Sequence, residues 1–287
     1  MSEKSWIVRR PHFECDELTP DHRSWPWNGH RYFAYDLVRF LEPERIVELG
    51  TYIGTSFFCF CQAIKDGGLK TECTAVDTWA GDEHTGPYDS AVYDAVRETI
   101  TRYYAPVNAR LVRSLFADAL PSFEDNSIDL LHIDGLHTYE AVREDFTSWY
   151  PKLAENGVVL FHDIADSCGY GSVEFWHELL EKHPGFSFQH SWGLGVLFPK
   201  GDLKLQALIA ENLEDKRLVY QYMSELDLVR IQKDFHEDRG SRQDALIKYQ
   251  EGRIEELSSH VTTMSAHLEK MQQSKLWPVF SRLSGCL

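Results

Sequence analysis

The sequence predicts an α/β fold, in which helices cover both faces of a parallel sheet, followed by a helical tail. Between residues 30 and 200, short apolar runs alternate with helical segments, which is the order of parallel strands joined by crossover helices. Prolines and glycines concentrate before residue 201, whereas the remainder is rich in Glu, Gln, Lys and Leu. We therefore predict an irregular segment at 1–29, an α/β domain at 30–200 and a helical tail at 201–287.

Seven strands are expected in the domain, each a short run of apolar or β-branched residues bounded by turn residues. The predicted strands are 45–49, 72–76, 110–112, 128–133, 158–161, 186–190 and 195–198. The predicted helices cover about 30–41, 55–65, 90–104, 116–123, 138–152 and 173–182. Because the last two strands are close in sequence, we expect them to form an antiparallel end of the sheet.

The tail carries a heptad pattern in which spacings of three and four residues alternate. Its members are Ile247, Gln250, Ile254, Leu257, Val261, Met264, Leu268 and Met271. Such a narrow seam favours a coiled coil at about 245–273 that joins a second chain. The alternative is a helix packed on its own domain. The first interpretation predicts a homo-oligomer or a complex assembled through the tail.

Composition excludes several classes of protein. The 287 residues contain 29 Lys and Arg against 45 Asp and Glu, a net charge of −16, which argues against a nucleic-acid binder. The longest apolar stretch, 56–64, is about half a membrane span. The beginning of the chain lacks the apolar segment of a secretory signal, and the six cysteines form no CxxC pair. We therefore expect a cytoplasmic protein with reduced thiols.

Ligands of an open parallel sheet bind outside the carboxyl ends of its strands, so the residues there are candidates for binding. The first strand ends in a loop from Glu48 to Gly54. Gly50 and Gly54 allow a tight turn and a close approach of the backbone to a ligand. The loop is neither a GxGxxG fingerprint nor a phosphate-binding GK[ST] loop, which disfavours a nicotinamide dinucleotide. A plain strand-to-helix turn is the alternative.

The second predicted strand is followed by Asp77. A carboxylate at this position can accept hydrogen bonds from both hydroxyls of a ribose. A helix cap or a solvated acid is the alternative. The loop that follows, 78–86, is too long for a simple connection, and we expect it to cover a cofactor or to shape a substrate pocket.

Acids and histidines follow the fourth and fifth strands, which lie side by side in such a sheet. Asp134 follows one strand, and His162 and Asp163 follow the other. Their oxygen and imidazole donors can hold a divalent cation: the carboxylates suit Mg²⁺, while His162 favours Mn²⁺, Fe²⁺ or Zn²⁺. His137 could take a proton from a substrate hydroxyl. Turn-capping or positioning roles for these side chains are the alternatives, and His132 is expected to be a core histidine.

Three segments carry a resemblance to a known family: VELGTYIGTS, AVDTWAGDEHTG and SIDLLHIDGLHTYEAVREDFTSWYPKLAENGVVLFHD. They resemble class I S-adenosylmethionine-dependent methyltransferases, more narrowly the bacterial group associated with carbohydrate and cell-surface polysaccharide biosynthesis. The resemblance covers about residues 30–200. It implies a Rossmann-like, seven-stranded sheet with strand order 3-2-1-4-5-7-6 and S-adenosylmethionine as the cofactor.

The resemblance also implies roles for individual residues. The loop Glu48–Gly54 would wrap the methionine part of the cofactor, Asp77 would bind the ribose, and the residues after strand three would lie near the adenine. The cofactor-binding residues implied are Glu48, Gly50, Thr51, Gly54, Asp77, Ser114, Leu115 and Asp134.

Related sugar O-methyltransferases of macrolide pathways hold a metal at the ends of strands four and five, with a histidine three residues after the strand-four aspartate. That arrangement corresponds here to metal ligands Asp134, His162 and Asp163 and to His137 as the catalytic base. His162 departs from the pattern, because those relatives carry an acid there. The resemblance thus implies methylation of a hydroxyl on a sugar or another small-molecule acceptor, assisted by Mg²⁺ or another divalent ion. A metal-independent methyltransferase with a histidine base, and a non-catalytic cofactor-binding scaffold, remain open alternatives.

Overall fold

The computed structural model describes residues 5–18, 26–82, 86–238 and 244–273. The strands in these ranges are β1 (Arg45–Leu49), β2 (Glu72–Asp77), β3 (Gly81–Asp82), β4 (Gly86–Pro87), β5 (Asn108–Arg113), β6 (Ile128–Ile133), β7 (Leu153–His162), β8 (Gly185–Phe188) and β9 (Leu194–Leu197). The α-helices are α1 (Arg31–Leu41), α2 (Thr55–Gly67), α3 (Ser90–Tyr103), α4 (Phe116–Ala119), α5 (Tyr139–Trp149), α6 (Gly171–Leu180), α7 (Leu203–Ala210), α8 (Leu213–Asp238) and α9 (Asp244–Gln273).

Seven of the strands form one sheet in the order β5-β2-β1-β6-β7-β9-β8, and β3 and β4 form a separate small hairpin. The sheet is parallel except for β9, which runs antiparallel to β7 and β8. Counted in chain order, this is the order 3-2-1-4-5-7-6, so the predicted fold is confirmed. The carboxyl ends of six strands therefore meet at one edge.

Helices pack on both faces of the sheet because its central strands are apolar on both sides. Neighbouring residues of a strand point to opposite faces, and two separate clusters of buried side chains result. Ile46 and Leu130 belong to one cluster, and Val47 and Leu131 belong to the other. This two-sided burial holds the strand ends in a fixed arrangement.

The longest strand differs from its predicted bounds. β7 begins at Leu153, ahead of the turn residues Glu155 to Gly157, which the prediction placed before the strand. Leu153 pairs with Ile128, and the register then shifts so that Val158 pairs with Leu130. The turn residues therefore lie within one strand, at a break in its register that periodicity alone does not reveal.

The beginning of the chain and the tail contribute to the core of the domain. Trp6 has no exposed surface, and its ring centroid lies 5.9 Å from that of Phe40 in α1 and 6.0 Å from that of Tyr220 in α8. The Tyr220 hydroxyl donates a hydrogen bond of 2.8 Å to the buried carboxylate of Asp36. The predicted segment boundaries therefore mark changes in composition, and the core is continuous across them.

Replacing Trp6 with alanine is expected to lower the free energy of unfolding by about 3–5 kcal/mol, because it empties a large buried site between α1 and α8. Urea denaturation measures the change. Ile7→Ala is the matched control: its side chain is 49% exposed, and we expect a loss of less than about 0.5 kcal/mol. Equal losses in the two variants would contradict the continuous core.

The heptad seam of α9 packs within the chain. Lys233 and Tyr222 of α8 and Asn212, just before α8, contact Glu251, His260 and Met271 of α9 in that order. Residue numbers thus fall along one helix as they rise along the other, so the two helices are antiparallel. The seam members that are buried are Gln250, Leu257, Val261 and Leu268. Of the two interpretations of the pattern, the structure thus shows a helix packed on its own chain. Association with a second chain stays a prediction that light scattering on the full chain tests.

Within the ranges that the structure describes, no helix combines the length and the apolarity needed to cross a bilayer.

Candidate active site

A cleft of about 370 Å³ opens at the carboxyl edge of the sheet, above β1, β2, β6 and β7. Eight of the residues predicted from the sequence line it, and they come from both the cofactor set and the metal set. They are Gly50, Thr51, Asp77, Leu115, Asp134, His137, His162 and Asp163. The structure therefore brings the two predicted sets together around one opening.

Glycine is required at two positions of the loop after β1, for a different reason at each. Gly50 has a φ of +87°, and a Cβ there would lie 2.1 Å from the carbonyl oxygen of Asp134. Gly54 also has a φ of +87° and precedes α2, where a Cβ would lie 2.7 Å from the ring of Phe58. Gly50 thus allows the loop to approach β6 at the floor of the cleft, whereas Gly54 shapes the turn and does not line the cleft.

The carboxylate of Asp77 ties two loops together. Its Oδ2 accepts hydrogen bonds of 2.8 Å from the backbone N–H groups of Thr51 and Tyr52, and its Oδ1 accepts one of 2.7 Å from Trp79. A carboxylate offers about four acceptor positions, so capacity remains for about one ligand hydroxyl. Asp77 therefore fixes the glycine loop and can also contact a ligand.

Replacing Asp77 with asparagine is expected to lower the free energy of unfolding by about 1–3 kcal/mol, because the amide cannot accept all three backbone hydrogen bonds. Denaturant titration measures this loss. Asp118→Asn, an exposed change in α4, is the control and should change stability by less than about 0.5 kcal/mol. An Asp77→Asn variant with an unchanged free energy of unfolding would show that the two loops hold each other without the carboxylate.

Glu48 does not reach the cleft, which corrects its predicted place beside the cofactor. Side chains alternate along β1, so Glu48 points into the layer of α1 and α2 and is fully buried. His132 donates from Nδ1 to its Oε2 at 3.0 Å and accepts from Trp27 Nε1 at 3.1 Å. His132 is thus a core histidine, as expected, and Trp27, which lines the cleft, is held by this chain of hydrogen bonds.

Ser114 is likewise displaced from its predicted role. Its N–H donates to the backbone carbonyl of Asp77, and its hydroxyl donates to the carbonyl of Leu115. Leu115, 60% exposed, and Phe116 line the cleft instead. An apolar wall rather than a hydroxyl therefore follows β5.

Asp134, His162 and Asp163 present one donor atom each within 4.8 Å of one another. His162 Nδ1 lies 3.3 Å from Asp134 Oδ1 and 3.1 Å from Asp163 Oδ2. Asp163 is 2% exposed, and its Oδ1 has no hydrogen-bond partner among the described residues. A buried carboxylate oxygen without a donor, next to a second carboxylate and an imidazole, fits a divalent cation.

The charges of this cluster act strongly on one another. Burial alone would lower the pKa of His162, but the carboxylates of Asp134 and Asp163 outweigh it and raise the pKa to about 10. Burial would conversely raise the pKa of Asp134, but His162 lowers it. The two carboxylates thus stabilise positive charge on the His162 ring.

His137 lies at the edge of the cleft beside this cluster. Its Nε2 is 3.2 Å from Asp163 Oδ2. The helix-cap role left open for His137 belongs to Thr138, whose hydroxyl accepts from the N–H of Ala141 at the start of α5. A histidine that a carboxylate orients at an open cleft can accept a proton from a bound hydroxyl.

Several aromatic residues of the cleft were not found from the sequence. Trp27, Tyr52, Tyr88 and Trp192 line it, and the ring centroids of Tyr52 and Tyr88 are 4.6 Å apart. Tyr88 follows the β3–β4 hairpin, and Thr78 and Gly81 of the loop after Asp77 also line the cleft. Trp192 follows β8, whose carboxyl end lies at the same edge, and the rule applied to the earlier strands would have found it. Trp27 lies in a segment without a periodic signal.

Comparisons with known proteins agree with this architecture. Residues 47–164 match the family Methyltransf_24, described as a methyltransferase domain. A Sinorhizobium fredii protein (strain NBRC 101917 / NGR234), described as uncharacterized protein y4gI, is 48% identical over 173 residues, which are 60% of this chain. The match spans 19% of that protein's length. A solved Staphylococcus aureus structure, provisionally a caffeoyl-CoA O-methyltransferase, aligns with a TM-score of 0.50 at 14% identity, covering 67% of this chain and 93% of its own.

Residues 47–164 thus match a methyltransferase domain in sequence, and the fold of the chain agrees with that match. The domain has the seven-stranded, Rossmann-like architecture of that class, and its matched segment runs from β1 to just past Asp163, across most of the cleft residues.

Proposed function

We propose that the protein transfers the methyl group of S-adenosylmethionine to a hydroxyl oxygen of a small acceptor, a sugar or a related molecule with adjacent oxygens, with assistance from a divalent metal ion. One observation carries the proposal: the glycine loop, the candidate base and the candidate metal ligands open on a single cleft.

The cofactor part of the proposal is supported by the floor of the cleft. Gly50 exposes backbone there, and Asp77 retains acceptor capacity for a ribose hydroxyl. The Thr51 hydroxyl is buried and unpaired among the described side chains, so it is available to a polar ligand group. The carboxylates around the cleft also suit the positive charge of a sulfonium.

The chemistry requires little more than alignment and removal of a proton. S-adenosylmethionine supplies a methyl group that is already electrophilic. His137 is placed to accept the proton of the acceptor hydroxyl, and Asp163 orients its imidazole. Asp134, His162 and Asp163 would hold the divalent ion, which would act as a Lewis acid toward the acceptor oxygens.

The acceptor class is supported by the walls of the cleft. Trp192 lines the cleft and is 49% exposed, so its indole offers an apolar surface to an acceptor. The apolar face of a sugar ring can stack on such a surface, while two adjacent oxygens of the same ring reach a bound cation. A saccharide therefore satisfies both the walls and the polar end of the cleft.

Calorimetric titration with S-adenosylmethionine tests the cofactor, and a methyl-transfer assay on a panel of sugar nucleotides tests the reaction. We expect saturable binding, transfer to at least one sugar, loss of transfer after chelation and recovery when metal is restored. Absence of S-adenosylmethionine binding would overturn the proposal.

A metal-independent transfer is the second candidate, because the contact between His137 and Asp163 can orient a base without a cation. Transfer that is undiminished after chelation would favour it. Binding of S-adenosylmethionine with no transfer to any acceptor would instead favour the non-catalytic scaffold.

A further inference from the structure

We propose that the cation site is built for a transition-metal ion rather than for Mg²⁺, because a strained turn after β8 fixes His162 as a nitrogen ligand. The inference rests on the proposed function in one respect, namely that Asp134, His162 and Asp163 hold a cation.

The orientation of His162 is set by a backbone carbonyl. Its Nε2 lies 3.3 Å from the carbonyl oxygen of Ser191. Since a carbonyl oxygen only accepts hydrogen bonds, Nε2 carries the hydrogen, and Nδ1 is the ring atom directed at Asp134 and Asp163. A hydrogen bond of this kind from the other ring nitrogen is the usual way in which a metal-ligating histidine is held.

The carbonyl belongs to an unusual turn. Ser191, Trp192 and Gly193 have φ values of 52°, 64° and 91°, three left-handed residues in succession. Two of them are not glycine, and each such residue costs about 1–3 kcal/mol unless its surroundings enforce it. The surroundings do so here: Ala165 N donates to the carbonyl of Trp192 at 2.8 Å, and a Cβ on Gly193 would lie 2.4 Å from Ala165 N.

A second histidine fixes the same carbonyl oxygen. His30 is 1% exposed, and its Nε2 donates to Ser191 at 3.0 Å. The ring centroids of His30 and His162 are 5.7 Å apart. Two imidazoles thus share one acceptor, so His30 is a positioning residue that acts on His162 through the Ser191 carbonyl.

The resulting set of donors is one imidazole nitrogen and two carboxylate groups. Mg²⁺ prefers oxygen ligands throughout, whereas imidazole suits the later first-row ions such as Fe²⁺, Co²⁺, Ni²⁺ and Zn²⁺. Because the turn and His30 hold Nδ1 in place, the nitrogen donor is preorganised, and the preference for such an ion is a property of the fold.

The test is calorimetric titration of the full chain, stripped with a chelator and free of S-adenosylmethionine, with Co²⁺ and with Mg²⁺. We expect Co²⁺ to bind at least about tenfold more tightly than Mg²⁺. In His162→Asp the Co²⁺ affinity should fall about tenfold or more, while the Mg²⁺ affinity stays level or rises. His177→Asp, the same change at a half-exposed histidine of α6, should leave both affinities as they are.

Two results on the relative affinities would overturn the inference, and a third follows from Co²⁺ alone. One is a wild-type protein that binds Mg²⁺ as tightly as Co²⁺, and this measurement decides the matter even if His162→Asp does not fold. The other is a folded His162→Asp variant with an unchanged ratio of the two affinities. Absence of any Co²⁺ binding would overturn it as well.

The role of His30 has its own test. His30→Phe keeps a ring of similar size but removes the hydrogen bond to Ser191, and we expect the Co²⁺ affinity to fall about tenfold. His190→Phe is the matched control, because His190 bonds to the carbonyl of Gly29 and not to Ser191. Equal Co²⁺ affinities in the two variants would show that His30 does not position His162.

These titrations separate the inference from the proposed function. Transfer of a methyl group that persists without metal, together with weak Co²⁺ binding, would refute the metal preference and leave the methyltransferase intact. A clear preference for Co²⁺ in a protein that does not bind S-adenosylmethionine would refute the function and leave the cation site.

Discussion

Replacing Gly50 with alanine is expected to weaken the binding of S-adenosylmethionine about a hundredfold or more. A Cβ at this position would lie 2.1 Å from the carbonyl oxygen of Asp134, a backbone atom that cannot swing aside. The left-handed φ of +87° adds strain for any L side chain. Relief requires β1 to move away from β6, since Asp134 N donates to the carbonyl of Leu49 at the same point. A shift of the loop that removes about 3 kcal/mol of ligand contacts corresponds to this loss of affinity.

Gly68→Ala separates the clash from the backbone conformation. Gly68 also has a positive φ, +58°, but a Cβ there would meet nothing within 4 Å. We expect Gly68→Ala to lose about 1–2 kcal/mol of stability and to keep its affinity for S-adenosylmethionine. Calorimetric titration and denaturation of both variants give the comparison. Equal affinities in Gly50→Ala and wild type would show that the loop after β1 does not hold the cofactor.

The positions of the functional residues along the chain were predictable because one rule governs them. In a parallel sheet the carboxyl ends of the strands share an edge, so acids and histidines at those ends must come together. Asp77, Asp134, His162 and Asp163 follow this rule, and all four line the cleft. Only the arrangement of strands, and not the packing of side chains, is needed for such a prediction.

The direction in which each side chain points could not be predicted from this strand-end rule alone. Glu48 lies one residue before the end of β1 and points away from the cleft, although it belongs to the same motif as Gly50. Trp27 reaches the cleft from a segment that neither pattern nor motif connects to it. Contacts between residues distant in sequence decide these cases, such as the hydrogen bond from Trp27 to His132.

The heptad pattern of the tail did not predict which helix packs against α9. A seam with alternating spacings of three and four residues specifies that one face of α9 is covered, but it carries no information on which helix covers it. In this chain α8 packs against α9, and Val261 and Leu268 join the same core as Trp6 and Val219. Which helix covers the seam of α9 therefore depends on the tertiary fold and not on the spacing of the seam residues.

Replacing His137 with alanine is expected to lower kcat by about 10²–10⁴-fold, the usual contribution of a general base, while S-adenosylmethionine and Co²⁺ still bind. The reason is geometric: the imidazole lies at the edge of the cleft, 3.2 Å from Asp163, but is not one of the three clustered donor atoms. Asp134→Ala should differ in kind, because it removes one of those donors and should weaken Co²⁺ binding together with kcat.

The kinetic and binding measurements on the two variants therefore form one experiment. Loss of kcat with retained Co²⁺ affinity in His137→Ala, against loss of both in Asp134→Ala, assigns the base and the ligand separately. His177→Ala, a half-exposed change in α6, controls for the loss of a histidine and should keep wild-type kcat. If His137→Ala retained the wild-type rate at saturating acceptor, the proton would have to leave by another route, and His137 would be a residue that only positions Asp163.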